Sequence, residues 1–347
     1  MKSKEARMRE EARWNYPFKI ARWWHEHMRE RVNASRKLFR GPRFFRGDCH
    51  SHTVFSDGIG TVEETNTIKE AAGLDFQFIT DHWTVAQKRE CVKFKNVWWG
   101  QEPVTQYHHL GILDNPRTYQ CKKDLLHDFA AAGKLGQLAF IPHPTGWYPV
   151  TRYNPERMDF LLKLGPEFNM EIINGANQML DCFDVTDESS VKLWDRLLCA
   201  GRRVHAMGNT DAHLPHCIGS VWNGVFASKL TKNAVIAALK KGRHFVSEAP
   251  LIYMEVKSGG RRAQMGQMLR VTGGRATLRF HAADSIGLQI LRIVQEGKTI
   301  REIDLRRKPT VDGTISLKVG PRSRYVRVEC NAKDWRRAYS NPVYFEG

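Results

Sequence analysis

Two histidines separated by one residue, followed closely by an aspartate, are the feature of this sequence that most directly indicates chemistry. His50 and His52 belong to the run Gly47-Asp48-Cys49-His50-Ser51-His52, and Asp57 follows in a Ser-Asp-Gly turn. Residues two apart on a β-strand project from the same face, so both imidazoles point the same way. Two imidazoles and a carboxylate at a strand end are typical ligands of a transition metal.

Further clusters repeat this arrangement, each an apolar run that ends in ligand-type residues. We interpret each run as a buried parallel strand, with helix-like segments between most of them. In an α/β barrel or an open α/β sheet, the carboxyl ends of the strands form the reactive face. The residues that end these runs are Asp81 and His82, Glu102 with His108 and His109, His143, and Asp211 with His213.

Taken in order, these motifs resemble the ligand series of the PHP (polymerase and histidinol phosphatase) superfamily of metal-dependent hydrolases. The series is H-x-H-x-x-x-x-D-G, T-D-H, G-x-E, H-x-L-G, H-P and D-A-H. The phrases F-x-R-G-D-x-H-x-H-T, G-N-T-D-A-H, G-R-x-F-V-S and S-N-P-V-Y are most similar to the CehA/McbA-type branch. The resemblance covers roughly residues 43–347 and implies an α/β fold, a PHP-type distorted (β/α) barrel.

Carried over position by position, the resemblance implies nine ligands for two to three divalent metal ions. The implied ligands of the first ion are His50, His52, Glu102 and Asp211. Those of the second are Glu102 again, as a bridge, with His108 and His143. Those of the third are Asp57, His82 and His213. Strand alternation lets only one of the adjacent His108 and His109 face the site easily, and the H-x-L-G pattern selects His108.

The ligand types also limit the metal and the reaction. Imidazole and carboxylate together suit zinc, manganese or iron, whereas an all-carboxylate site suggests magnesium or calcium. A metal-bridging hydroxide is the expected nucleophile, so we expect an enzyme that hydrolyses ester bonds in a small molecule. The resemblance favours a phosphoesterase. The alternatives are a carboxyl-ester or carbamate hydrolase of the CehA type, and a PHP nuclease; Arg152 is a candidate cation for a phosphate.

Three neighbouring carboxylates are expected to act outside the ligand set. Asp48 and Asp81 adjoin ligands, and we expect each to orient an imidazole through its other N–H group. Glu171 ends an apolar run, and its position suits a pocket wall or a supporting acceptor better than a metal ligand.

Composition places the chain among intracellular proteins of more than one domain. The 347 residues exceed a typical single domain, and no stretch approaches the roughly 20 apolar residues of a spanning helix. Seven cysteines, none in a C-x-x-C pair, favour a reducing compartment, and we expect a cytoplasmic protein. We expect a helical segment over 1–46, the metal-binding domain over 47–250, and a small antiparallel β-sandwich over 251–347.

The segment 1–46 is strongly basic and rich in aromatic residues. It carries 14 Lys or Arg against 5 Glu, about half of the net charge of +17. Such a segment is able to contact an anionic membrane surface or nucleic acid. We favour a third interpretation, an amphipathic helix that packs on the catalytic domain, because the glutamates dilute its basic face. Helices are also expected over 61–72, 189–199 and 231–241, and turns at 259–260, 273–274 and 312–313.

Overall fold

A computed structural model of the chain describes residues 17–105, 108–122, 124–146, 160–175 and 185–346, with the side chains of 17–19 left undescribed. Its helices are α1 (Pro17–Leu38), α2 (Val62–Ala72), α3 (Lys88–Cys91), α4 (Leu125–Leu135), α5 (Val185–Cys199) and α6 (Lys232–Leu239). The first nine strands are β1 (Phe45–Asp48), β2 (Phe76–Ile79), β3 (Val97–Gln101), β4 (Gly111–Leu113), β5 (Leu138–Ile141), β6 (Glu167–Asn174), β7 (Arg203–Asn209), β8 (Trp222–Val225) and β9 (His244–Ser247). The remaining strands are β10 (Leu251–Ser258), β11 (Arg261–Gln264), β12 (Met268–Leu269), β13 (Arg275–Gln295), β14 (Lys298–Lys318), β15 (Tyr325–Ala332), β16 (Arg337–Ser340) and β17 (Val343–Phe345).

The first nine strands form a mixed sheet, parallel in two stretches. Strands β1, β2 and β3 are parallel neighbours, as are β5, β6 and β7. Strand β4 lies antiparallel between β3 and β5, and β8 lies antiparallel between β1 and β9. The side chain of Asn223 on β8 contacts β7, since its Oδ1 accepts from the Gly208 N–H at 3.1 Å and its Nδ2 donates to the Gly208 carbonyl at 2.7 Å.

The described part of the chain is thus a mixed α/β structure dominated by strands, and the predicted (β/α) barrel is not confirmed. The prediction assumed parallel strands with helical crossovers, but fewer than ten residues connect β3 to β4. A connection between parallel neighbouring strands requires a dozen residues or more. Because this link is shorter, the two strands pair antiparallel, as observed.

Helix α2 begins and ends as the sequence predicts. The Thr61 side chain accepts a hydrogen bond from the Glu64 N–H, and the Glu64 carboxylate accepts one from the Thr61 N–H, which completes a capping box. Gly73 ends the helix at φ 69° in the left-handed region. Helix α5 begins four residues earlier than predicted and α6 lies within its predicted span, so all three predicted helices are confirmed.

The strands from β10 onwards pair mainly antiparallel and hold most of the largest hydrophobic cluster. The hairpin β13–β14 turns at Glu296 and Gly297, which both have positive φ, as a two-residue hairpin loop requires. The turns predicted at 259–260 and 273–274 are confirmed by positive φ at all four glycines. The turn predicted at 312–313 is wrong, because Gly313 lies inside β14 opposite Phe280. A Cβ atom on Gly313 would lie 2.2 Å from that ring, so this glycine accommodates an aromatic side chain.

Helix α1 packs on the body of the protein through a mixed polar and apolar face. Its buried residues include Met28, Val32 and Arg31, whose guanidinium donates to both Asp284 oxygens at 2.8 and 3.0 Å. This packing agrees with the preferred interpretation only in part, because Asp284 belongs to residues 251–347 and not to the predicted catalytic domain, and the aromatic ring of Trp23 is exposed. Residues 1–16 lie outside the described part, so membrane or nucleic-acid contact by 1–46 stays a prediction. None of the described helices is long and apolar enough to span a membrane.

Candidate metal centre

The strand ends converge through short backbone hydrogen bonds. Beyond β1, the His52 N–H donates to the Ala212 carbonyl and the Asp211 N–H donates to the His50 carbonyl, both at 2.9 Å. Beyond β2 and β3, the Glu102 N–H donates to the Thr80 carbonyl at 2.9 Å. The polar residues that end β1, β3 and β7 therefore meet at one edge of the sheet, as the sequence predicts.

The first cluster consists of four buried side chains, namely those of His50, His52, Glu102 and Asp211. The Nε2 atoms of His50 and His52 lie 3.2 Å apart. Glu102 Oε2 lies 3.1 and 3.3 Å from these two nitrogens, and Asp211 Oδ1 lies 3.2 and 3.0 Å from them. Four donor atoms thus face a common centre at closely similar separations.

The donor spacing fits a tetrahedral metal ion. Zinc-to-nitrogen and zinc-to-oxygen bonds are about 2.0–2.2 Å long, and a tetrahedron with such bonds has edges of about 3.3–3.6 Å. The five separations above, 3.0 to 3.3 Å, lie at or just below this range. Nitrogen and carboxylate oxygen are also the donor types that zinc, manganese and iron accept.

The second cluster lies on the other oxygen of Glu102. Its Oε1 is 3.0 Å from His143 Nε2 and 3.0 Å from His109 Nδ1. Since Oε2 of the same carboxylate faces His50 and His52, Glu102 presents one oxygen to each cluster. A carboxylate in this position is able to bridge two cations.

His109, and not the predicted His108, is the histidine that the structure brings to Glu102. His108 points the other way, with its Nε2 3.1 Å from Asp128 Oδ2. The reason is the backbone of this loop, where Val104 and His109 form an isolated antiparallel bridge and the Leu110 N–H donates to the Pro103 carbonyl at 3.1 Å. This bridge fixes which of the two adjacent histidines faces inward.

The third cluster, His52, Asp57, His82 and His213, lies at the solvent side of the centre. Asp57 Oδ2 is 3.5 Å from His82 Nε2 and 3.3 Å from His213 Nε2, and its side chain is 46% exposed. Nδ1 of His82 and Nδ1 of His213 each lie 3.0 Å from a backbone carbonyl oxygen. A ring whose Nδ1–H donates to a carbonyl keeps its Nε2 lone pair for a metal.

A buried nitrogen without a partner supports the same interpretation. His52 is 1% exposed, and its Nδ1 makes no hydrogen bond to any residue that the structure describes. Its nearest carboxylate oxygen in the third cluster, Asp57 Oδ1, is 3.8 Å away. Buried polar atoms usually have partners, so an unpaired imidazole nitrogen beside a carboxylate indicates a missing ion or water.

Glu171 holds the first cluster from behind. Its Oε1 lies 2.8 Å from His50 Nδ1 and accepts from Asn209 Nδ2 at 2.7 Å, while its Oε2 accepts from the His143 N–H at 2.8 Å. Acceptance from Nδ1 fixes the His50 ring so that Nε2 faces the centre. Glu171 is therefore a supporting acceptor, in line with its predicted placement. Asn209, which donates to Glu171, also supports the cluster, and the sequence pattern around it did not predict this role.

The two neighbouring aspartates differ from their predicted role. Asp48 accepts from the backbone N–H groups of His50 at 3.2 Å and Thr210 at 3.1 Å, and not from an imidazole. Asp81 accepts from the Thr53 N–H and from the hydroxyls of Thr53 and Ser56, each at 2.7 Å. Both carboxylates hold the loops that carry the histidines, because each is buried and its hydrogen-bond donors among the described residues are backbone N–H groups and hydroxyls.

The strands from β10 onwards contribute one buried cation to this support. Arg337 on β16 donates to Asp187 Oδ2 at 2.9 Å and to Glu248 Oε1 at 2.6 Å. Asp187 Oδ1 in turn accepts from the Asn174 N–H at 2.9 Å, and the Asn174 amide donates to Asp211 Oδ2 at 3.2 Å. A continuous chain of polar contacts thus links β16 to a member of the first cluster.

Crowding of imidazoles and carboxylates shifts their proton affinities. Burial alone lowers the pKa of His52, but hydrogen bonds to Asp211 and Glu102 raise it to about 9. Burial alone raises the pKa of Glu102, yet the nearby imidazoles of His50 and His109 hold it well below its usual range. Protonated imidazoles therefore neutralise the carboxylates unless a cation replaces those protons.

Arg152, the predicted cation for a phosphate, lies outside the described residues. Among the described residues, the ion-pair partners of the carboxylates of Asp57, Glu102 and Asp211 are all histidines.

Among known proteins, the chain shows similarity to solved structures but to no family model or curated protein. The chain is similar to a two-domain protein from Bacteroides vulgatus that contains a predicted PHP-like metal-dependent phosphoesterase, at 18% identity over 88% of this chain and 95% of that one, with a TM-score of 0.45. It is also similar to an amidohydrolase from Chromobacterium violaceum, at 14% identity over 50% of this chain and 89% of that one, with a TM-score of 0.35. A lesion-specific endonuclease from Pyrococcus furiosus matches at 15% identity over 64% of this chain and 58% of its own, with a TM-score of 0.40.

Proposed function

We propose that the chain is a metal-dependent hydrolase that cleaves ester bonds, with phosphoesters as the leading substrates. The observation that carries the proposal is the carboxylate of Glu102, which turns Oε2 to His50 and His52 and Oε1 to His109 and His143. Such an arrangement suits two cations that share one carboxylate. When bound, divalent ions lower the pKa of a coordinated water and stabilise negative charge on a reacting oxygen.

The residues of the chain prepare this chemistry in three ways. Nine side chains would hold the ions, and we place His109 in the position that the sequence assigned to His108. Glu171 and the carbonyls beside His82 and His213 fix the ring tautomers, so that each imidazole offers its lone pair inward. The buried first cluster excludes bulk water, whereas the half-exposed Asp57 leaves the third cluster open to an incoming substrate.

The domain division predicted from the sequence is part of the proposal. Every residue of the three clusters lies between positions 50 and 213, within the proposed metal-binding domain over 47–250 and its distorted barrel. The antiparallel strands of 251–347 supply Arg337 as support, which favours a stabilising role for them. The described cysteines are all free, which supports a reducing compartment such as the cytoplasm.

A substrate panel tests the reaction class. Aryl phosphate mono- and diesters, aryl carboxyl esters, an aryl carbamate and a duplex oligonucleotide are assayed with protein loaded with zinc, manganese or iron. Faster turnover of a phosphoester than of the carboxyl esters supports the leading proposal. Preference for the carboxyl ester or carbamate selects the alternative hydrolase, and no turnover of any substrate by metal-loaded protein contradicts the proposal.

A further inference from the structure

Positive charge is distributed very unevenly along this chain. Residues 47–250, which hold the metal clusters, carry 21 Lys or Arg against 23 Asp or Glu. Residues 251–347 carry 19 against 9, and residues 1–46 carry 14 against 5. The net charge of +17 therefore lies entirely outside the part of the chain that holds the candidate metal clusters. Clustered positive charge attracts polyanions such as nucleic acid or an anionic membrane, so its location points to a candidate binding surface.

Part of this charge lies on one face of the sheet formed by β11, β10, β13 and β14. Along β13, Arg275, Thr277 and Arg279 are exposed and alternate with the buried Ala276 and Leu278. The strand register adds exposed cations to the same face, since Lys318 lies opposite Arg275 on one side and Lys257 lies opposite Thr277 on the other. Directly opposed residues have Cβ atoms about 4.5–5.5 Å apart, so cations from three strands form one continuous patch.

The patch includes a shallow cavity of about 620 Å³. Several cationic and hydroxyl-bearing residues are among those that line it, including Lys257, Arg262, Arg275, Thr277 and Ser316. Among the described residues, Glu255 is the one carboxylate that forms ion pairs with these cations. Its Oε2 lies 2.7 Å from Arg262 Nη2, and its Oε1 lies 3.9 Å from Lys257 Nζ. Arg275, Arg279 and Lys318 form no ion pair with a residue that the structure describes, so their charge is available to a ligand.

We propose that this face, called here the basic sheet face (Lys257, Arg262, Arg275, Arg279 and Lys318), binds the phosphate backbone of double-stranded nucleic acid. Guanidinium, ammonium and hydroxyl groups are the donors that contact phosphate oxygens in such complexes. Binding of single strands commonly adds stacking on exposed aromatic rings, and membrane binding adds exposed apolar anchors. The exposed large apolar residues of the described chain include none on this face, which favours a duplex backbone over both.

The test measures binding of a fluorescent 25-base-pair DNA duplex by anisotropy, between about 50 and 200 mM salt and in the presence of EDTA. Chelation of metal separates this proposal from the hydrolase proposal, because the basic sheet face needs no metal. The variant Lys257→Glu/Arg275→Glu/Arg279→Glu is compared with Arg306→Glu/Arg307→Glu/Lys308→Glu, which makes the same change in net charge at exposed positions elsewhere on β14. Thermal unfolding of both variants and the wild type confirms that they are folded.

We expect the wild type to bind with an affinity that falls steeply with salt. The face variant should bind at least about tenfold more weakly, and its slope of log affinity against log salt should be smaller by about 2–3, because each lost phosphate contact removes about 0.9. The control variant should lose less than about threefold. Equal losses in both variants, or binding to vesicles containing anionic lipid without binding to the duplex, would overturn the proposal.

Discussion

Oε1 of Glu102 lies 3.0 Å from Nδ1 of His109, while its neighbour His108 turns to Asp128. This one relationship separates two adjacent histidines into different roles. His109 belongs to the cluster that shares Glu102, and His108 belongs to a polar contact that holds the same loop.

Replacing His109 should remove a metal ligand, whereas replacing His108 should not. We expect His109→Ala to bind about one metal ion fewer per chain, because its cluster would retain only Glu102 and His143. His108→Ala should keep the full metal content and lose some thermal stability, since it leaves Asp128 with one partner fewer in a buried position. Elemental analysis of both variants checks this, and the reverse pattern would restore His108 as the ligand.

Glu171 should act on the metal through His50. Glu171→Gln keeps the size of the side chain but weakens the acceptor that fixes the His50 ring at 2.8 Å. We expect metal affinity to fall about 10- to 100-fold, the range typical of a lost hydrogen-bond partner behind a ligand. Competition with a chromogenic chelator measures the affinity. Glu302→Gln, an exposed carboxylate on β14, is the matched control and should change nothing. An unchanged affinity in Glu171→Gln would show that the His50 ring is held by other contacts.

Metal binding should release protons. The pKa of His52 is about 9 and that of His50 is raised well above its usual value, so both rings carry protons at pH 7.5 without metal. A metal ligand must be neutral imidazole, so each ion displaces protons and its affinity rises as the pH increases towards about 9. Calorimetric titration in buffers of different ionisation enthalpy counts the protons. We expect at least about one proton per ion at the first cluster, and an affinity that does not change with pH would contradict the pKa assignment.

Helix α1 should stabilise the fold through Arg31. Arg31→Met leaves the fully buried Asp284 without its bidentate partner, and loss of one member of a buried ion pair costs about 3–5 kcal/mol. Arg22→Met on the same helix is the control, because Arg22 pairs with Glu26 at the surface. Urea unfolding should show a large loss of free energy of unfolding in the first variant alone. Equal stability of the two variants would mean that α1 is only loosely held.

The sequence was sufficient for the residue types of the centre and for several local elements. Alternation and strand-end positions predicted His50 and His52 on one face, and the Thr61 to Glu64 spacing predicted the start of α2. These features depend on near neighbours along the chain. The Asp312-Gly313 pair led to a wrong turn prediction, because glycine occurs both in turns and in strands where an aromatic ring packs closely on the backbone.

Local sequence patterns did not predict the contacts between distant parts of the chain. The choice between His108 and His109 depends on the Val104–His109 bridge, which strand alternation alone does not determine. Arg31 and Asp284 are 253 positions apart, and no periodicity predicts their pairing. The support that Arg337 gives to Asp187 likewise depends on how β16 packs against α5.

Whether Glu102 would be shared by two metal ions is tested most directly by the metal content and kcat of Glu102→Gln. The amide keeps one good ligand oxygen but has no charge to share between two cations. We expect the variant to retain its fold, to bind at least one ion fewer, and to turn over its best ester substrate at least about a hundredfold more slowly, about 2.7 kcal/mol of lost stabilisation. Glu302→Gln should match the wild type in both measurements. Normal metal content together with a normal kcat in Glu102→Gln would show that Glu102 is not shared by two ions.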